Sequence, residues 1–185
     1  MNTRQFIKCF TIGILSLTAT RVHAQNAIPW SPAVKLSWDD FRSAPDPALP
    51  FTAYTHTTTK WHFHWDRNGR LSTTVDCYFL EDESWKRPER NLTPYLLQHE
   101  TGHFNISEVF ARKLQEAFDN YTLTHRHSEN TQSDLDMIYK SVMEQKKAVQ
   151  AQYDEQTNHA KNKEAQEAWD AKIAGWLYAS KGFSK

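Results

Sequence analysis

Two histidines and a glutamate stand at metal-binding spacing in the segment LLQHETGHF, residues 96–104. His99 and His103 are four residues apart, so on a helix their rings lie one turn apart on the same face and can bind one ion. Glu100 lies about 100° further round the helix, where its carboxylate can reach a water beside the ion without binding the ion itself. This HExxH pattern predicts a Zn²⁺ site that activates water, with Glu100 as its general base.

A helix of the required kind is predicted around these residues. Thr93 is a good N-cap, Pro94 suits the first helical position, and the helix is expected to run to about Phe118. At about 100° per residue, both histidines fall within a single apolar stripe. The apolar members of that stripe are Leu92, Leu96, Ile106, Phe110, Leu114 and Ala117. The histidines are therefore expected to face the core.

A buried histidine does not by itself indicate a metal. An isolated one is more often a hydrogen-bonded core residue, but the pair together with Glu100 on one apolar helix favours a metal site. Gly102 stands between the two histidines, where glycine destabilises a helix by about 1 kcal/mol relative to alanine. Its missing side chain indicates that another part of the protein packs closely there, and a neighbouring strand or helix backbone is the expected candidate.

A catalytic zinc site uses three protein ligands and a water, so the two histidines need a partner from elsewhere. Glu108 follows closely, but nine positions after His99 it points to the opposite face of a continuous helix. The later segment YDEQTNHA, residues 153–160, follows the inward stripe of a second predicted helix. If the helical phase persists through this segment, His159 falls near that stripe and Asp154 points away from it. His159 is therefore the predicted third ligand.

The remaining pattern predicts an α+β domain. Residues 53–66 alternate between two faces as a half-buried strand does, Asn68-Gly69 turns the chain, and a return strand follows at residues 70–79. Two further helices are expected, at residues 134–153 and 163–178. Because the strands precede the helices, the order argues against alternating βαβ units. We expect a small antiparallel sheet packed on the HExxH helix, in one domain spanning residues 25–185.

Residues 1–24 have the features of a signal peptide. Two basic residues precede an apolar run at residues 10–17, and a small residue, Ala24, precedes the expected cleavage point. The run is too short to span a bilayer, so stable membrane insertion is not expected. The sequence therefore predicts a secreted or periplasmic protein.

Charge and cysteine content narrow the function further. The expected signal segment carries three of the 22 basic residues, which leaves 19 against 22 acidic residues, with no basic block. Nucleic acid is therefore not an expected partner. Cys9 lies in the same segment, so Cys77 remains alone and no intrachain disulfide is expected.

Several motifs together resemble the predicted secreted zinc-dependent proteases of bacteria, a family among the zincin-like metallopeptidases. LLQHETGHFNISEVFARKL is followed by YDEQTNHA, and WDDF lies near the expected mature N-terminus. Ser84-Trp85 and the pair Gln166 and Trp169 also fit the family. The resemblance covers most of the chain after the signal segment.

The resemblance implies a zincin-like fold, a bound Zn²⁺ and a peptide or protein substrate. Metal binding is implied for His99 and His103, and catalysis for Glu100. Further site roles are implied for four residues of the second motif, namely Tyr153, Asp154, Thr157 and His159. Glycine usually follows the last histidine of the family pattern, whereas this chain has Ala160. This departure leaves the presentation of His159 open and keeps Asp154 as the alternative third ligand.

Together these features predict a secreted zinc-dependent metallopeptidase that hydrolyses peptide bonds. One alternative is a zinc-stabilised secreted binding module without catalysis, although a closed structural site more often uses cysteine or a fourth protein ligand. Another alternative is an amidase acting on cell-wall peptides. That enzyme would use the same site, so the sequence does not separate it from a protease.

Overall fold

The computed structural model describes residues 26–124 and 129–183, and the expected signal segment lies outside the described residues. In this part of the chain five strands precede three α-helices, which confirms the predicted α+β class. The strands are β1 (Ala27–Pro29), β2 (Ala53–Tyr54), β3 (Thr57–Trp65), β4 (Leu71–Leu80) and β5 (Trp85–Lys86). The helices are α1 (Pro94–Thr124), α2 (Thr131–Thr157) and α3 (Lys163–Ala179), with short 3₁₀ helices at Trp38–Asp40 and Lys181–Phe183. No helix among the described residues is long and apolar enough to cross a membrane.

The main sheet is built around the predicted hairpin. β3 and β4 pair antiparallel from Thr57 opposite Phe79 to Trp65 opposite Leu71, and β1 pairs with the other edge of β4. Gly69 has a φ of 72° in the connecting turn, a conformation that glycine adopts without steric cost. β2 and β5 form a separate two-stranded sheet. The chain between β2 and β3 borders the candidate site.

Helix α1 lies at the centre of the fold. It packs against β4 on one side and against α2 and α3 on the other. Its predicted inward stripe is confirmed, because Ile106, Phe110 and Leu114 are fully buried. The side facing the sheet is buried too, where Phe104 packs against Phe79. A helix covered on both sides can carry polar side chains into the interior at several points of its circumference.

Two helices extend further than predicted. α1 continues past Phe118 to Thr124, and α2 continues past Tyr153 to Thr157. Both extensions contain buried side chains, Tyr121 in α1 and Thr157 in α2, so tertiary packing stabilises turns that periodicity alone does not mark. The longer α2 determines where the residues after Tyr153 lie.

Candidate metal centre

Helices α1 and α2 bring three metal-binding side chains together. His99 and His103 lie one turn apart on α1, and Asp154 lies on α2. The Nε2 atoms of the two histidines are 3.2 and 3.0 Å from the same carboxylate oxygen, Oδ1 of Asp154. Ligand atoms of the three residues lie within 4.8 Å of one another, close enough to share one ion. The structure therefore joins the predicted histidine pair to Asp154, the alternative third ligand.

Each histidine is held by a glutamine on the ring nitrogen that faces away from Asp154. Nδ1 of His99 is 3.0 Å from Oε1 of Gln166 on α3. Nδ1 of His103 is 2.5 Å from Oε1 of Gln150 on α2. A hydrogen-bond partner on one ring nitrogen sets the tautomer and the orientation of a metal-binding imidazole.

The amide nitrogens explain why the glutamine oxygens face the rings. Nε2 of Gln166 donates to the hydroxyl of Tyr153 over 2.6 Å and to Oδ1 of Asp170 over 2.8 Å. Nε2 of Gln150 donates to the backbone oxygen of His103 over 2.9 Å. With each amide oxygen accepting from Nδ1, the neutral ring keeps its lone pair on Nε2, which is the atom that faces the carboxylate.

This donor set fits a divalent metal ion. A carboxylate oxygen that faces two imidazole nitrogens is stabilised by positive charge between them, which protons supply without a metal and a divalent cation supplies in their place. Two histidine nitrogens and one carboxylate oxygen are also ligands that Zn²⁺ uses in catalytic sites. His99, His103 and Asp154 therefore form a group that could hold a divalent metal ion.

The contacts also determine the charge of the group. Burial raises the pKa of the Asp154 carboxyl, but the hydrogen bonds with His103 and His99 outweigh burial and hold this pKa well below its usual range. Burial lowers the pKa of His103, but the hydrogen bond and the charge of Asp154 outweigh burial, so that this pKa is raised. Asp154 is therefore ionised, and the rings face a negative charge that a bound cation would neutralise.

Glu100 lies beside this group with one carboxylate oxygen held in place. The hydroxyl of Thr55, between β2 and β3, donates to Oε2 of Glu100 over 2.7 Å. Glu100 is buried and lines the same cavity as the two histidines. Its other carboxylate oxygen, Oε1, forms no hydrogen bond with a residue in the described part of the chain. That oxygen remains available to a water.

The cavity has a volume of about 460 Å³ and lies between two walls. One wall comes from α1 and α2 and includes His99, Glu100, His103 and Asp154. The opposite wall is the chain from residue 50 to residue 57, which includes β2. A cavity of this size accommodates a few residues of an extended ligand.

The chain after α2 turns left-handed, which determines the position of His159. Asn158, His159 and Ala160 have φ values of 48°, 49° and 65°, so the helical phase does not persist to His159 as expected. Nδ1 of His159 is 3.3 Å from Oδ1 of Asp154, and its ring centre is 4.8 Å from that of Phe51. The His159 side chain is 43% exposed and lies outside the three-residue group. His159 thus lies at the rim of the cavity.

The other residues of the second motif support the histidines. Tyr153 is fully buried, and its ring stacks on that of His99 with 4.6 Å between the ring centres. Its hydroxyl donates to the backbone oxygen of His99 over 3.1 Å. The hydroxyl of Thr157 donates to the backbone oxygen of Tyr153 over 2.7 Å. Burial raises the pKa of Tyr153, so the hydroxyl keeps its proton and remains a donor.

Glu108 lies outside the site, as its helical position predicts. Its carboxylate accepts a hydrogen bond from Nε of Arg112 over 2.7 Å. It lines a second, smaller cavity together with Trp30 and Cys77. Arg112 also donates to the backbone oxygen of Leu177 over 2.7 Å, which ties α1 to α3. Glu108 therefore has a structural role.

Two residues of the site were not predicted, and a third was indicated only by the resemblance. Gln150 was missed, although it lies four residues before Asp154 on α2 and shares a helix face with it. Thr55 was missed because nothing in the spacing of the hairpin connects it with α1. Gln166 fits the family pattern, but its contact with the ring of His99 does not follow from the sequence.

Residues 35–160 match the family model of a bacterial protein of unknown function (DUF922). The matched region contains both halves of the candidate metal centre, from Thr55 to His159. No curated protein matches the chain, and no solved structure matches it.

Proposed function

Because the chain belongs to the DUF922 family of bacterial proteins of unknown function, its activity has to be inferred from the site, and we propose that it is a secreted zinc-dependent metallopeptidase. His99, His103 and Asp154 would hold the Zn²⁺. The observation that carries this proposal is the convergence of two Nε2 atoms on one carboxylate oxygen, with both Nδ1 atoms held by amide oxygens. Secretion is proposed from residues 1–24 of the sequence alone.

Three ligands on an open cavity favour catalysis over a purely structural metal. A structural zinc site is normally closed by four protein ligands, whereas a catalytic site uses three and leaves a position for water or substrate. The described residues form a three-residue group, and the same residues line the cavity of about 460 Å³. Zn²⁺ bound there would act as a Lewis acid, which polarises the substrate carbonyl and lowers the pKa of the water bound to the metal.

The protein residues supply the proton transfers. Thr55 holds Oε2 of Glu100, which restricts rotation of the carboxylate and would leave Oε1 for a water in the cavity. A carboxylate so placed accepts a proton from the attacking water and later passes it to the leaving amine. Gln150 and Gln166 keep the imidazoles in the tautomer that leaves Nε2 unprotonated, while Tyr153 fixes the ring plane of His99 by stacking.

The proposal is tested with zinc-loaded protein that starts at residue 25 and a mixed peptide library, with products identified by mass spectrometry. We expect cleavage that a chelator abolishes and added Zn²⁺ restores. A parallel reaction with cell-wall peptides distinguishes a protease from an amidase of the same site. Zinc-loaded protein that cleaves neither kind of substrate contradicts the proposal and favours a zinc-stabilised binding module.

A further inference from the structure

Three lysines line the cavity of the candidate metal centre. Lys146 and Lys147 lie on α2, and Lys161 follows the left-handed turn at the end of that helix. Lys146 lies four residues before Gln150 and eight before Asp154, so the three share one face of α2. Two of the three lysines that line the cavity therefore come from α2, the helix that carries Asp154.

The acidic residues of the cavity do not neutralise these lysines. Glu100 is held by Thr55, and Asp154 contacts the histidines. None of the three lysines forms an ion pair or a side-chain hydrogen bond with a residue in the two described ranges. Once the histidines and Asp154 hold a divalent cation, the net charge of the cavity is positive.

Lys146 is the least exposed of the three. Its side chain is half-buried, and burial lowers the pKa of its ammonium group. A half-buried ammonium without a carboxylate partner destabilises the folded protein. The chain as a whole has equal numbers of basic and acidic residues, 22 of each, so this concentration of lysines is not the result of a generally basic surface. A negatively charged group that enters the cavity would give Lys146 a partner.

We propose that the cavity selects peptides that carry a carboxylate, which Lys146 binds with help from Lys147 and Lys161. This inference rests on the proposed function, because it names the substrate class of the same site. The carboxylate is either an acidic side chain of the peptide or its free C-terminus. A cleft with charge of one sign focuses its field on an incoming group of the opposite sign, so the lysines also favour capture of such peptides.

The test measures peptide binding to zinc-loaded Glu100→Gln protein, in which the probe is not consumed. The probes are short alanine-based peptides with a neutral fluorophore. One set has an amidated C-terminus and a glutamate at each position in turn, and a matched set has glutamine at the same positions. A last probe is a glutamine peptide with a free C-terminal carboxylate.

We expect at least one carboxylate-bearing probe to bind about tenfold more tightly or better than the amidated glutamine set. The glutamate set and the free C-terminus distinguish the two sources of the carboxylate. Replacement of all three lysines by methionine removes the preference, and Lys146→Glu alone weakens it. Lys140→Met is the matched control, because Lys140 lies on α2 outside the cavity lining and its loss leaves the preference unchanged.

Equal affinity for all probes, including no measurable binding, overturns the inference. A preference that survives the loss of all three lysines overturns it as well. Hydrolysis by the wild-type protein is measured in parallel. Lysine-dependent binding without hydrolysis contradicts the proposed peptidase activity but supports the carboxylate site. Hydrolysis without a charge preference supports the peptidase activity but contradicts the carboxylate site.

Discussion

Tyr153 occupies the space that a side chain at Gly102 would need. A Cβ built on Gly102 would overlap the hydroxyl oxygen of Tyr153. The glycine between the two histidines therefore lets α2 approach α1 closely enough for Tyr153 to stack on His99 and to donate to its backbone oxygen. Close packing at Gly102 was expected from the sequence, but the group that packs there is a tyrosine side chain rather than a neighbouring backbone.

Gly102→Ala should therefore destabilise the protein, although alanine is the better helix former. Overpacking against the buried Tyr153 is expected to lower the free energy of unfolding by roughly 1–2 kcal/mol and to weaken zinc binding. Gly175→Ala is the matched control in α3, where a Cβ meets no atom within 4 Å, and it should stabilise by up to about 1 kcal/mol. Denaturant unfolding measures both variants. Stabilisation by Gly102→Ala would show that Tyr153 is free to move.

Ala160→Gly should stabilise the protein. Ala160 has a φ of 65°, in the left-handed region that disfavours residues with a Cβ, and it follows two other residues with positive φ. Relief of this strain, reduced by the larger chain entropy of glycine in the unfolded state, should raise the free energy of unfolding by roughly 0.5–1 kcal/mol. Ala151→Gly, at an exposed position inside α2, should lower it by about 1 kcal/mol. Equal losses for the two variants would exclude a left-handed Ala160.

Hydrophobic periodicity, turn residues and helix-capping residues predicted the elements that depend on local sequence. The turn at Gly69 and the start of α1 at Pro94 are where the sequence placed them, whereas the predicted strand at residues 53–66 is divided into β2 and β3. The ends of α1 and α2 were placed too early, because buried side chains such as Tyr121 stabilise the last turns. Such contacts depend on how the elements pack and are not visible in one segment.

The site likewise combines features that local sequence predicts with features that depend on how the elements pack. His99, Glu100 and His103 could be placed beside one another from spacing because all three lie on one helix. The preference for His159 over Asp154 assumed a continuous helical phase, and the left-handed turn after α2 removes that assumption. The family resemblance indicated Asp154 as an alternative ligand, whereas helix geometry alone predicted that its side chain points away from the site.

Asp154→Ala should weaken zinc binding far more than His159→Ala. Asp154 Oδ1 lies within 3.2 Å of both Nε2 atoms, whereas His159 reaches the group only through its contact with Asp154. Loss of a direct ligand should reduce zinc affinity by much more than about 100-fold, and loss of a supporting residue by about 10- to 100-fold. Competition with a zinc-binding dye measures both affinities. A large effect of His159→Ala with a small effect of Asp154→Ala would establish His159 as the ligand.

Glu100→Gln tests the central claim most directly, through peptide hydrolysis measured at matched zinc content. Glutamine keeps the size of Glu100 and can still accept the hydrogen bond from Thr55, but it cannot take a proton from water. We predict unchanged zinc content and thermal stability with hydrolysis at least about 100-fold slower. Glu155→Gln, an exposed substitution on α2, should leave the rate unchanged. Hydrolysis by Glu100→Gln at the wild-type rate and at full zinc content would contradict the assignment of Glu100 as the catalytic base.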